Sequence, residues 1–241
     1  SAPAYAIEPP TVTAPPTSSA RVSPGKIRVN PAVVDDTLDA KRTSRGRGTK
    51  APVATSLEGL FQRGGTPDSL DQLRELEQQQ RKVATLGEKC TVSVKIGPAQ
   101  GCGVIITGTG FVVTAAHVAM RPGKTAIVTL DGGRQVTATT LGMNREFDAG
   151  LIRINPDQNG GQPYPYASLG TSENLLPGMW CVALGHPGGY DPGRGAVIRV
   201  GRLLEVRENV IVTDCALIGG DSGGPLFNLA GELIAVHSRI G

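Results

Sequence analysis

One serine lies in a glycine-dense heptapeptide near the end of the chain, and its order relative to a histidine and an aspartate constrains the fold. The heptapeptide is residues 220–226, GDSGGPL. Two other motifs precede it, TAAH at residues 114–117 and FDAGL at residues 147–151. Together the three motifs predict a catalytic triad made of His117, Asp148 and Ser222.

The chain order of these residues decides between two folds. Residues 220–224 also fit the pattern G-x-S-x-G, the nucleophile elbow of α/β-hydrolases, in which the acid and the histidine follow the serine. Here both candidate partners precede Ser222, and residues 223–241 are too few for the remainder of such a fold. The order His, Asp, Ser is that of the chymotrypsin family.

The pattern of short β-rich runs from Cys90 onward predicts an all-β protein. Runs of this length, separated by Gly, Pro and Asp, are typical of a sandwich or barrel. We expect a double six-stranded β-barrel of chymotrypsin type, with a first barrel at 88–154, a linker at 155–176 and a second barrel at 177–241. Six strands are predicted for the first barrel and only five for the second, so the last strand is expected to be missing. The predicted strands are 90–96, 102–107, 110–115, 125–130, 135–142, 149–154, 179–185, 195–205, 209–214, 225–228 and 232–238.

The segment before the barrels differs in composition. Residues 1–66 are rich in Pro, Ser, Thr and Gly and show no sustained apolar period, which predicts a disordered tail. The tail holds nine Lys or Arg and five Asp or Glu, so the excess positive charge of the chain lies there. Its basic cluster could be a solvated linker or could attach the chain to an anionic surface.

The sequence of residues 67–87 predicts a helix. Ser69 and Gln72 fit a capping box, and one face would carry Leu70, Leu73, Leu76, Val83 and Leu86.

The three candidate residues fit general-base catalysis. A serine hydroxyl is a poor nucleophile unless a base takes its proton, and histidine is the side chain most often used as that base, which makes His117 the candidate. Asp148 would bond the far ring nitrogen and fix its tautomer. The backbone N–H groups of Gly220 and Ser222 would form an oxyanion hole.

The motifs resemble those of the trypsin-like serine endopeptidases, and in particular the bacterial Deg/HtrA-like branch. Residues 100–106 (QGCGVII), 182–189 (VALGHPGG) and 213–216 (TDCA) carry the finer resemblance, which covers roughly 88–241. It implies peptide-bond hydrolysis through an acyl-enzyme on polypeptide substrates, and an exported protein in the periplasm or outside the cell. Trimers are typical of the branch.

The resemblance also implies a specificity pocket and a substrate-binding edge. The pocket segment would be Ala216, Leu217, Ile218 and Gly219, which has no carboxylate, so we expect a small or medium apolar side chain at the cleavage site. His237 and Ser238 would form the edge that pairs with the substrate backbone.

The chain departs from the family pattern at two points that bear on activation. No Ile-Val-Gly-Gly-type activation site precedes the barrels, so Asp221 is not expected to pair with a new N-terminal amine. Asp221 replaces the Asn that is commoner in the Deg/HtrA-like branch, and it could instead bond the local backbone. These departures predict control by loops rather than activation by cleavage.

Two other functions remain open from the sequence: a non-catalytic binding or chaperone module on a trypsin-like fold, and a serine esterase.

The four cysteines, at positions 90, 102, 181 and 215, lie in apolar runs and are predicted to be free buried thiols rather than disulfides. No CxxC spacing is present, and neither a metal nor a cofactor is predicted. The sequence contains no span long and apolar enough for a membrane, and no aromatic residues are interleaved with the basic cluster to suggest nucleic-acid binding.

Overall fold

Six antiparallel strands close the first barrel, in the order β2-β3-β4-β7-β6-β5. The computed structural model describes residues 25–27 and 57–240. Alternate residues of these strands point into the barrel, and the apolar ones among them, such as Val92, Val94 and Ile152, are fully buried. The first-barrel strands are β2 Thr91–Ile96, β3 Ala99–Ile105, β4 Phe111–Ala115, β5 Thr125–Thr129, β6 Gln135–Asn144 and β7 Ala149–Ile154.

The second barrel is also six-stranded, because a strand from the N-terminal segment completes it. β1, Gly25–Ile27, lies between β11 and β13 and pairs antiparallel with both. The expectation that the sixth strand is missing is therefore wrong: the position is filled by residues far away in the sequence. The other strands are β9 Trp180–Gly185, β10 Val197–Arg207, β11 Val210–Thr213, β12 Pro225–Asn228 and β13 Glu232–Ile240, and a short strand, β8 Ser168–Leu169, adds to β13.

Two ordered stretches lie inside the predicted disordered tail. One is β1, and the other is a short helix, α1 Leu57–Gln62, whose Phe61 is fully buried. The segment after α1 is tied to the second barrel, since the Trp180 indole donates to the carbonyl of Gly65 at 2.9 Å. The remainder of residues 1–56 lies outside the described residues.

The predicted helix at 67–87 is present as α2, Leu70–Cys90. Its capping residue is Ser69, whose hydroxyl accepts the amide of Gln72 at 3.3 Å, as the sequence predicted. The predicted apolar face is wrong in part, because Leu70, Leu73 and Leu86 are exposed. The buried face instead comprises Leu76, Gln79, Val83, Ala84, Gly87 and Cys90.

A glycine sets how closely α2 approaches the second barrel. A side-chain carbon at Gly87 would lie 2.9 Å from Leu184 and 3.0 Å from Phe227, so a larger residue would force these two core side chains to shift. No helix in the described part of the chain is both long and apolar enough to cross a membrane.

Candidate active site

His117 and Asp148 meet because their strands are paired. β4 ends at Ala115, directly opposite Ala149 at the start of β7. His117 follows on the short helix α3, Ala116–Ala119, and Asp148 immediately precedes β7. Nδ1 of His117 lies 2.9 Å from Oδ2 and 3.1 Å from Oδ1 of the Asp148 carboxylate.

Asp148 is held firmly in place. It has a positive φ of 49°, a region that Asp and Asn enter more readily than most residues. Its Oδ1 accepts the backbone N–H of His117 at 3.1 Å, and its Oδ2 accepts the hydroxyl of Ser238 at 2.6 Å. The carboxylate is buried, whereas half of the His117 side chain is exposed. One edge of the imidazole is therefore fixed while the ring faces the cleft.

Ser222 belongs to the second barrel but is anchored on the first. Its carbonyl accepts the amide of Cys102, on β3, at 2.7 Å. At the neighbouring Gly223, with φ of 88°, any side chain would collide with the Cys102 carbonyl and the Thr114 hydroxyl. The turn carrying Ser222 therefore lies against the strand that leads to His117. Among the described residues, no hydrogen bond joins the Ser222 hydroxyl to His117, and such contacts are often long before substrate binds.

The predicted oxyanion hole lies in the turn before Ser222, whose backbone is closely packed. Gly220 has a φ of 102°, and a side chain there would strike the backbone of His186 and Gly188. Within the described part of the chain, the N–H groups of Gly220 and Ser222 donate to no protein acceptor. Both predicted donors are thus available to a bound oxyanion.

A buried thiol supports this turn from behind. Burial raises the pKa of Cys102 to about 12, so the thiol stays protonated. Its sulfur lies 3.0 Å from the carbonyl oxygen of Gly220 and accepts the amide of His186 at 2.9 Å. All four cysteines are free and buried, as predicted.

The predicted pocket segment is partly accessible. Ala216 and Ile218 are exposed, and Leu217 is buried. The two nearest carboxylates in sequence are both engaged. Asp214 accepts the amide of Arg202 at 2.6 Å, and Asp221 lies 2.9 Å from the guanidinium of Arg199.

The predicted role of His237 in binding substrate is wrong. Its ring is buried, its amide donates to Gly224 and its carbonyl accepts the amide of Gly223. Its backbone is therefore already paired within the protein, and its ring lies in a stretch of β13 whose residues 233–238 are all buried. Burial, and then the nearby charge of Arg199, lower the pKa of His237 to about 3. Ser238, the other predicted edge residue, is buried and directs its hydroxyl to Asp148.

An open cavity of about 530 Å³ adjoins the histidine and the aspartate. Its walls combine the apolar side chains of Met120 and Met143 with the cations of Arg121 and Arg145. The described residues contain no group of three or more His, Cys, Asp or Glu placed to hold a metal ion.

Three contributors to the site were missed from the sequence: Ser238 as a partner of Asp148, Cys102 behind the turn, and Arg199 beside Asp221. Cys102 belongs to the motif at residues 100–106, and Ser238 belongs to the predicted substrate-binding edge. These sequence contexts could have indicated that both residues lie near the site. Arg199 lies in an ordinary strand run, and nothing in the sequence distinguished it from a surface arginine.

Comparison with known proteins gives the same fold and class. The model of the trypsin-like peptidase domain matches residues 101–236. Because this match spans more than half of the chain, the protein belongs to the trypsin-like peptidase family.

Within that family its relatives are of the Deg/HtrA-like branch, as the sequence motifs indicated. The chain is 31% identical over 217 residues to a probable periplasmic serine endoprotease DegP-like of Pseudomonas putida, covering 88% of this chain and 42% of that protein. It is 37% identical over 149 residues to the putative serine protease HhoA of Synechocystis, covering 58% and 37% respectively. The chain thus spans less than half the length of these relatives.

Two solved structures share the fold. The crystal structure of Deg5 superposes with a TM-score of 0.58 at 22% identity, covering 68% of this chain and 86% of that one. The HtrA-type protease AlgW with a tripeptide gives a TM-score of 0.56 at 26% identity, covering 65% and 53%.

Proposed function

We propose that this protein is a serine endopeptidase that cleaves polypeptides through an acyl-enzyme on Ser222. The observation that carries the proposal is the 2.9 Å bond between His117 and Asp148, next to the turn that bears Ser222. The family membership supports the same reaction.

In the proposed reaction the hydroxyl oxygen of Ser222 attacks the carbonyl carbon of the scissile bond. Nε2 of His117 takes the hydroxyl proton, while Asp148 stabilises the resulting imidazolium. The N–H groups of Gly220 and Ser222 bind the developing oxyanion. His117 then protonates the leaving amine, and water hydrolyses the acyl-enzyme by the same steps.

The proposed substrates have a small or medium apolar side chain on the acyl side of the cut. Ile218 and Ala216 are the exposed side chains of the pocket segment, and neither carries charge. The pocket segment carries no carboxylate, and Asp221 beside it is buried in an ion pair with Arg199, which supports an apolar preference over one for Lys or Arg. The resemblance to the Deg/HtrA-like branch supports unfolded or flexible polypeptides as the proposed substrate class.

We further propose an exported location. The Pseudomonas relative is called periplasmic, and the resemblance to the Deg/HtrA-like branch implies the same kind of location.

A fluorophosphonate probe tests the proposed nucleophile. The wild type should be labelled, and Ser222→Ala should not be. The matched control is Ser172→Ala, on an exposed loop outside the site, which should be labelled like the wild type. A folded wild type that resists labelling would refute the enzyme and favour a binding or chaperone module.

A peptide library then tests the substrate class. Amide bonds after Ala, Val, Leu or Ile should be cleaved, whereas cleavage only after Lys or Arg would contradict the proposed pocket. Hydrolysis of esters without any amide cleavage would indicate an esterase.

A further inference from the structure

One ion pair is buried directly behind the oxyanion-hole turn. Asp221 lies between Gly220 and Ser222 in sequence, and its side chain is turned away from the cleft into the protein. Its Oδ2 lies 2.9 Å from Nη2 of Arg199, a residue of β10 that stands opposite Ala183 of β9. Asp221 is 1% exposed and Arg199 is 16% exposed, so the pair is shielded from solvent.

The same carboxylate also fixes the backbone of the turn. Oδ2 of Asp221 accepts the amide of Ile218 at 3.0 Å, and the amide of Asp221 donates back to the Ile218 carbonyl at 3.1 Å. The inward position of the side chain therefore determines the path of residues 218–222. That path sets where the N–H groups of Gly220 and Ser222 point.

A carboxylate in this position needs a nearby cation. An unpaired buried charge is strongly unfavourable. Without a nearby cation, the Asp221 side chain would therefore rotate toward water and change the backbone path of the turn. Among the described residues, Arg199 is the one cation within ion-pair distance of Asp221. It reaches the carboxylate from within the folded barrel.

The pair is poorly suited to a purely stabilising role. Nη1 of Arg199 and Oδ1 of Asp221 are both buried without a hydrogen-bond partner among the described residues. Burying a charged pair with unsatisfied atoms is often no better for stability than apolar packing. Its position behind the turn gives a functional reason for it instead.

We propose that Arg199 is a positioning residue, the built-in counter-ion that holds the oxyanion-hole turn in its competent form. Catalytic competence then requires folding alone and no proteolytic cut to create a new amine. The proposal rests on the proposed endopeptidase function and names the residue that prepares its site.

The test compares Arg199→Met with Arg202→Met in the full chain. Arg202 lies on the same strand and stacks on Trp180 at 3.7 Å, so its loss controls for removal of an arginine from β10. The readouts are kcat and KM on a fluorogenic peptide amide with an apolar residue before the cut, and the inhibition constant of a peptide boronate, which mimics the tetrahedral oxyanion.

For R199M we expect kcat to fall by about 10²–10³, the effect of losing one oxyanion donor, with KM nearly unchanged. Binding of the boronate should weaken by a similar factor. For R202M we expect kcat and boronate binding like the wild type. R199K, which keeps the charge, should recover most of the loss. A folded R199M with wild-type kcat would overturn the proposal, as would a change confined to KM.

If R199M does not fold, the double variant R199M/D221N tests the proposed role of Arg199 instead. An amide at position 221 needs no counter-ion and can still accept a hydrogen bond from the Ile218 amide, so the loss caused by R199M should be absent in the D221N background. The double variant should be folded and at least as active as D221N alone. A folded double variant with kcat about 10²–10³ below that of D221N would overturn the proposal, because Arg199 would then act independently of the Asp221 charge. A wild type that fluorophosphonate does not label would instead refute the proposed function itself, so the two failures are distinguishable.

Discussion

Replacing Asp148 by Asn isolates the electrostatic role of this residue from its backbone role. Asn tolerates the positive φ of 49° at this position as well as Asp does, whereas Ala would add backbone strain. The substitution also preserves the size of the side chain. What changes is that one carboxylate oxygen becomes an NH2 group and the negative charge is lost.

The structure indicates a large loss of activity. The carboxylate accepts from the His117 backbone, from Nδ1 of His117 and from the Ser238 hydroxyl. An amide oxygen cannot serve all of these, and an amide NH2 facing Nδ1 would favour the wrong tautomer of the imidazole. In a triad this costs about 10⁴ in kcat, which corresponds to roughly 5.4 kcal/mol of transition-state stabilisation. Lost charge-assisted bonds would lower the free energy of unfolding by about 1–3 kcal/mol.

The assay is kcat on an apolar peptide amide, with urea unfolding measured in parallel. Asp157→Asn is the matched control, because Asp157 is exposed and also has a positive φ, 65°. The control should keep both activity and stability. If D148N stayed folded and kept kcat within about tenfold of the wild type, the assignment of Asp148 as the orienting acid would be refuted.

Three further predictions concern stability. Because the pKa of His237 is lowered from 6.5 to about 3 in the folded protein, its contribution is complete above pH 6.5 and is lost as the pH falls from there toward 3; the expected slope is about 1.4 kcal/mol per pH unit. Urea unfolding between pH 7 and pH 4 should show a shallower slope for His237→Gln, and equal slopes would contradict the assignment. Arg202→Met removes the stacking on Trp180 and two backbone hydrogen bonds, so it should cost about 1–3 kcal/mol of unfolding free energy; no loss would show that this contact contributes nothing. Phe227→Ala empties a fully packed core position and should cost about 3–5 kcal/mol, and a cost below about 1 kcal/mol would mean that the barrel collapses around the gap.

Local patterns predicted most of the strands and the candidate catalytic residues. Short β-rich runs bounded by turn residues mark the strands of the first barrel, and the His and Asp motifs flank a pair of strands that the fold joins. Those signals are short-range, so a single sequence suffices to read them. The structure places His117 and Asp148 in contact where the motif order had predicted it.

The remaining features depend on long-range contacts or on fine register. Nothing in the three residues of β1 indicates which strands they pair with. The family resemblance places His237 on the substrate-binding edge, whereas its ring is buried and its backbone is bonded to Gly223 and Gly224, contacts that the sequence does not reveal. Leu70 and Leu73 follow a helical period and yet are exposed, since the contact of α2 with the barrel begins further along the helix. The role of Arg199 depends on its ion pair with Asp221, which lies in the turn before β12 and is distant from Arg199 in sequence.

Closure of the second barrel by β1 has a kinetic consequence. Gly25 stands opposite Thr213 and Ile240, so this pairing joins parts of the chain that are very distant in sequence and forms late in folding. A strand of 3 residues also has few ladder bonds, and its release costs less free energy than global unfolding. In hydrogen–deuterium exchange, the β11 and β13 amides that face β1 should therefore lose protection before those that face β10 and β12. We therefore expect the native-state fluctuations of the second barrel to begin at this strand.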